Sequence, residues 1–152
     1  MRGLSFIVDG ELYAVDVTLV QKVARKLAIT PVPSAPEEII GIANLKGRVV
    51  TVLSLTKLLG ATGHTHENLY INTIVFKSSA SNEDQMGLAI EKPGNLINIG
   101  ENAIHAPNAA QGAANDFCIS GVTEIGDSFY RIIDIEAIEK KYVISDSTHV
   151  TI

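Results

Sequence analysis

Leu4, Phe6 and Val8 alternate with Ser5 and Ile7 ahead of Asp9-Gly10, a two-residue pair that favours a tight hairpin turn. Across such a turn Val8 faces Glu11, Phe6 faces Tyr13 and Leu4 faces Val15, which puts Phe6, Tyr13, Leu4 and Val15 on one apolar face. Asp16 then caps a short helical turn carrying Leu19, Val20 and Val23 at three- and four-residue spacing. Its valines shorten it, and the pattern runs into a strand over residues 23–29. Pro31, Pro33 and Pro36 interrupt regular structure. Ser34 with Glu37 three residues on has the spacing of a capping box and predicts a short helix that Gly41 stops. Strands follow at 42–45 and 48–53 across Lys46-Gly47, and Ser54 caps a helical turn over 55–59 that Gly60 closes.

The second half follows the same plan with looser joints. A polar link at 60–68 leads to a strand over 69–76, a polar loop at 77–85 and a returning strand over 86–91. Pro93-Gly94 precedes a strand at 95–99, and residues 100–115 are rich in small side chains with little periodicity. Strands at 117–123 and 129–133 flank Gly126-Asp127, and Asp134 opens a helix over 135–142.

The two halves correspond. Residues 41–58 recur without a gap as 121–138, and Tyr13-Ala14-Val15-Asp16 is answered by Leu88-Ala89-Ile90-Glu91 at an offset of 75. What recurs is apolar pattern and turn glycine, so the repeat serves a scaffold and not a set of reactive groups. Many short strands with frequent turn signals predict an all-β chain with short helices, folded as two small barrels. The expected division is a single domain with a first barrel at about 1–65, a second at 66–142 and a polar tail at 143–152.

Composition bears on function mainly by exclusion. With 46% hydrophobic and 19% charged residues the chain buries much of itself. No apolar run reaches the roughly 18 residues of a membrane span, and Met1-Arg2-Gly3-Leu4 enters a strand pattern, so a cytoplasmic protein is expected. Cys118, the one cysteine, sits between Phe117 and Ile119 as a buried strand thiol. His64-Thr65-His66 with Glu67 has metal-pair spacing but no further ligands at a recognisable interval, so neither metal nor cofactor is expected. Glu37-Glu38 and Glu83-Asp84 diverge as neighbours and form no acid/base dyad, and no nucleophile–base pair stands out, which argues against an enzyme. Lys22, Arg25 and Lys26 form a basic cluster without aromatic platforms. With the net charge of -5 this leaves an SH3-like or OB-like RNA-binding barrel a minor alternative. Charge is also uneven: residues 1–60 carry seven basic and five acidic side chains, net +2, while 61–152 carry five and twelve, net -7. Such halves suit a head-to-tail contact between molecules.

Gly10-Glu11-x-Tyr13-Ala14-Val15-Asp16-Val17, Val20-Gln21-x-Val23, Thr30-Pro31-Val32-Pro33-x-Ala35-Pro36, Gly41-Ile42-Ala43-Asn44-Leu45-Lys46-Gly47 and Val49-Val50-x-Val52-Leu53-x-Leu55 follow in an order that resembles the CheW-like domain of bacterial chemotaxis, from about Phe6 to Lys140. That resemblance implies two five-stranded SH3-like barrels around a shared apolar seam, where the repeat positions Val15, Val50, Val52, Ile90 and Ile132 are expected. It also implies a non-enzymatic adaptor that couples the hairpin tip of chemoreceptors to the regulatory domain of a CheA-type histidine kinase, or serves a divergent motility or sensory pathway. The receptor groove it implies draws on Val20, Lys22, Asn44, Lys46 and Gly47, and the kinase surface on Ile39, Ile42, Val49 and Gly87. Two positions depart from the family pattern. Lys22 stands where an acidic residue is frequent and Lys46 where arginine is usual, which removes an acid–base pair and a planar bidentate donor. A third departure is Glu91-Lys92-Pro93, where the family tends to have an aspartate and an apolar strand.

Overall fold

The computed structural model describes residues 1–60, 70–78, 84–106 and 116–149, with those from 143 onward as backbone alone. Strands β1 (Arg2–Val8) and β2 (Glu11–Asp16) form the first hairpin in the expected register, with Phe6 opposite Tyr13 and Leu4 opposite Val15. Asp9 and Gly10 both have positive φ, 53° and 77°, the geometry of the tight hairpin turn. Phe6 and Tyr13 stack with ring centroids 5.7 Å apart. Asp16 accepts the Thr18 amide and caps a single 3-10 turn, Val17–Leu19, after which β3 (Val20–Ala28) begins at once.

The helix expected after Ser34 does not form. Ser34 has φ +64°, outside the extended conformation a helix cap requires, and Ile39 is already paired with Leu53 as the first residue of β4 (Ile39–Leu45). Pairing with β5 (Arg48–Ser54) draws in Glu38 as well, whose carbonyl accepts the Ser54 amide at 2.7 Å. Strand pairing outcompetes a cap that supports barely one turn. Ser54 does cap α1 (Leu55–Leu58), and Gly60 leaves it at φ +92°. Next come β6 (Tyr70–Phe76), β7 (Gln85–Ala89) and β8 (Lys92–Asn98), then β9 (Ile119–Ile125) and β10 (Ser128–Ile133). The helix α2 (Ile135–His149) is capped by Asp134, whose Oδ1 accepts the Ala137 amide at 3.0 Å, and it runs on through much of the expected tail.

The strands form two five-stranded sheets, β8-β1-β2-β10-β9 and β3-β6-β7-β5-β4. A boundary near residue 65 therefore does not separate the barrels, because each sheet draws strands from both sides of it. Replacing β1–β5 by β6–β10 and the reverse turns one strand order into the other. The repeat is real, but its two halves exchange hairpins: β1–β2 joins the second half's β8, β9 and β10, and β6–β7 joins β3, β4 and β5. The junctions are parallel pairs, β5 with β7 and β2 with β10. Among the described residues each barrel closes through a single bridge, Thr30 to Ile42 in one and His105 to Val122 in the other. These partners lie 75 and 80 residues apart, the same offsets the sequence repeat shows.

Strand alternation then divides the core into three layers. Val50, Val52, Ile71, Val75 and Ala89 fill the interior of the β3–β7 barrel, and Ala14, Ile99 and Ile132 that of the other. Between the barrels lies the largest cluster, where Phe6, Val8, Tyr13 and Val15 meet Leu53, Ile74, Phe76, Leu88 and Ile90 under α1 and α2. All five expected seam residues are buried, yet only Val15 and Ile90 belong to the seam. Val50, Val52 and Ile132 point the other way along their strands, into barrel interiors. A central strand buried on both faces explains the apolar run at 86–90.

Candidate functional site

The β4–β5 hairpin presents the clearest surface. Lys46 and Gly47 have φ 52° and 82° at its tip, and Asn44 Oδ1 accepts the Gly47 amide at 2.9 Å, holding the two-residue turn. Gly41, Ala43, Val50 and Val52 face inward, so Ile42, Asn44, Val49 and Thr51 share the outward face. Ile42 is 36% exposed and Val49 43%. Asn44, Lys46 and Gly47, expected in a receptor groove, and Ile42 and Val49, expected on a kinase surface, thus lie on one hairpin, with Asn44 directly opposite Val49.

The remaining expected residues are placed differently. Val20 is half-buried against the seam and Lys22 is exposed on β3, opposite Val75. In the sheet, β6 and β7 stand between these residues and β5, although the starts of β3, β5 and β7 lie at one end. Ile39 is half-buried against the seam. Gly87 is not a surface residue: it is buried at the centre of its sheet, where a Cβ would fall 2.7 Å from Thr73 Cγ2 and 3.0 Å from Val50 Cγ1. The strand needs glycine there for packing, and that removes Gly87 from any contact surface. Lys22, Arg25 and Lys26 line the exposed side of β3, which faces β4 at one bridge only; charges in that position discourage pairing with other chains. His64, His66 and Glu67 lie outside the described residues.

A second surface escaped the sequence reading. Phe129 is 64% exposed and Ile125 36% on the β9–β10 hairpin. The repeat offset of 80 carries Val49 onto Phe129 and Leu45 onto Ile125, and applying it to the surface residues would have found them. The tips carry opposite charge: Lys46 and Arg48 on one, Glu124 and Asp127 on the other.

At the end of the β3–β7 barrel where β7 begins, Gln85 is only 2% exposed. Its Nε2 donates to the Phe76 carbonyl at 3.0 Å and to Gln21 Oε1. At the opposite end of the strands a cavity of about 280 Å³ is lined by Val8, Leu55, Ile71 and Ile90 with Asp9, Thr56 and Glu91. Glu91 Oε2 there accepts the Gly10 amide at 3.3 Å. Cys118 is fully buried in the seam as expected, but it ends a 3-10 turn, Asp116–Cys118, just before β9 and does not lie in a strand. Burial raises the Tyr13 phenol above its ordinary range, with the Arg131 hydrogen bond opposing it. Tyr142 is pushed up to about 12 by burial and then by the charge of Glu38, which also shares a hydrogen bond with it. That contact ties α2 to the segment leading into β4.

The profile of the CheW-like domain family matches residues 2–141. The chain belongs to that family. Among its relatives, the chemotaxis protein CheW of Thermotoga maritima is 30% identical over 107 residues, 70% of this chain and 68% of the relative. The CheW protein of Bacillus subtilis is 27% identical over 143 residues, 92% of this chain and 87% of the relative. In three dimensions the chain is similar to the crystal structure of the scaffolding protein TtCheW from Thermoanaerobacter tengcongensis, with a TM-score of 0.74 and 27% identity over 88% of each chain. Two five-stranded barrels around a seam are thus the CheW-like fold, with its hairpin exchange evident in this chain's own strand order.

Proposed function

We propose that this CheW-like protein is a chemotaxis adaptor that links the cytoplasmic hairpin tip of chemoreceptors to the regulatory domain of a CheA-type histidine kinase, working in the cytoplasm without catalytic chemistry of its own. The observation that carries this reading is the pair of repeat-related hairpins, each exposing apolar side chains beside a charged tip, one basic and one acidic. Surfaces of this kind suit assembly through unlike ends: Val49 and Ile42 beside Lys46 and Arg48 at one end, Phe129 and Ile125 beside Glu124 and Asp127 at the other. The exposed apolar groups supply most of the affinity, and the charges set orientation and association rate, since rim charges are screened by salt. The relatives' names as chemotaxis CheW proteins and the description of TtCheW as a scaffolding protein support the same reading. No helix of the described residues is long and apolar enough to cross a membrane.

Co-purification of the tagged protein with the organism's CheA-type kinase tests the proposal. Recovery of kinase and receptors with wild type, and their loss with Val49→Asp and Phe129→Asp variants that fold normally, is the expected outcome. Recovery of a different signalling kinase would reassign the protein to a divergent pathway.

A further inference from the structure

A β-bulge marks the start of β3. Val20 stands opposite Phe76 and Lys22 opposite Val75, so Gln21 is an extra residue with no partner on β6. In a regular strand Gln21 and Lys22 would point to opposite faces; with the bulge both are exposed. Behind them sits Gln85. It shares the inward side of β7 with Gly87 and Ala89, where an apolar residue would be the ordinary choice. Both its donor hydrogens are engaged, by Phe76 O and Gln21 Oε1, while its own Oε1 is buried and lacks a donor among the described residues. An orphaned carbonyl in a packed interior is destabilising, and methionine of similar length would avoid it.

We infer that Gln85 is a positioning residue for the partner surface at this end of the barrel: by holding Gln21 Oε1 inward it turns the Gln21 amide nitrogen outward beside Lys22, making a donor face that selects a carboxylate on the partner. Lys77, whose amide donates to the Leu19 carbonyl just before β3, is also exposed and adds a second cation beside Lys22, while Glu83, outside the described residues, and Asp84 precede Gln85 in sequence. This inference rests on the adaptor reading and gives its receptor-facing end a chemical preference. With Lys22 exposed beside the Gln21 amide, the preferred receptor tip is acidic at the contact.

The test uses cytoplasmic hairpin-tip fragments of the organism's chemoreceptors, each in native form and with its acidic residues replaced by the matching amides. Wild type is expected to bind the native tip and to bind the neutralised one more weakly. Gln85→Met should melt no lower than wild type yet bind the native tip about fivefold more weakly, the effect of one lost hydrogen bond. The exposed Gln21→Ala change should produce the same loss, and the double variant no further loss, because the two side chains act as one unit. None of the three should alter binding to the neutralised tip. Wild-type affinity in Gln21→Ala, or an equal loss toward both tips, overturns the inference while leaving the adaptor reading intact. Failure of folded wild type to bind any tip overturns both. Should Gln85→Met melt lower than wild type while Gln21→Ala binds normally, the pair is structural and the inference falls.

Discussion

Thr30 and Gly41 meet where the β3–β7 barrel closes: the Thr30 carbonyl accepts the Ile42 amide at 2.8 Å, and a Cβ on Gly41 would fall 2.2 Å from that same oxygen. The symmetry-related contact is His105 with Gly121, where the distance would be 2.9 Å and the nearest atom is the Ile104 side chain at 2.6 Å. Glycine is needed at both because a single backbone bridge, not a strand ladder, shuts each barrel. Gly41→Ala should destabilise the protein by about 3 kcal/mol, since rigid backbone must move, and Gly121→Ala by about 1–2 kcal/mol, since a side chain can give way. Urea denaturation distinguishes them, and equal midpoints for both variants and wild type would remove closure as the reason for these glycines.

Exchange of hairpins between the repeat halves predicts that neither half folds alone. Residues 1–65 lack β6 and β7 from the middle of their sheet, and residues 66–152 lack β1 and β2 from theirs. Each fragment should give the circular dichroism of an unfolded chain, and mixing the two should restore the β signal. A cooperative melt from either fragment alone would contradict the exchange.

Local chemistry was legible at the tight turns and at most caps, the box at Ser34 being the exception. The Leu4-to-Val15 register, the turns at Asp9-Gly10 and Lys46-Gly47, and the caps at Ser54 and Asp134 each depend on neighbours within a few residues, and all are present. What could not be read depends on distant partners. The repeat announced two barrels, yet the sequence has no signal for the parallel pairing of Val52 with Gly87 or Ile132 with Ala14, which lie far apart along the chain. For the same reason Val50 and Val52 were assigned to the seam: alternation separates the two faces of a strand but does not say which face meets which layer. Gly87 read as a strand residue near a surface, but only the packing of Thr73 and Val50 reveals the gap it fills. The surface of Phe129 was reachable in principle, through the offset of 80 applied to exposed and not buried positions.

Alkaline pH should loosen the seam. Tyr142, pushed up to about 12, and Tyr13, also raised, hold their protons more tightly folded than unfolded, where tyrosine ionises near pH ~10. Their contribution is therefore complete below pH ~10 and is lost as pH rises toward the folded values, for Tyr142 about 12. The melting temperature should fall across that window, and Tyr142→Phe should lessen the fall. An identical alkaline loss in wild type and Tyr142→Phe would place the titrating group elsewhere.

Lys46 occupies a left-handed conformation, φ 52°, that asparagine and glycine adopt more readily. Lys46→Asn should raise stability by about 0.5–1 kcal/mol while removing a positive charge from the tip. Lys46→Arg should retain partner binding and Lys46→Glu abolish it at unchanged stability. Equal binding by the arginine and glutamate variants would remove the tip from the interface.

Calorimetric titration against the regulatory domain of the CheA-type kinase, at low and high salt, tests the adaptor account most directly. The account predicts binding at both salts, modestly weaker at high salt because apolar contacts carry most of the affinity, and lost in folded Val49→Asp or Phe129→Asp protein. Correctly folded wild-type protein that shows no binding at either salt would contradict it.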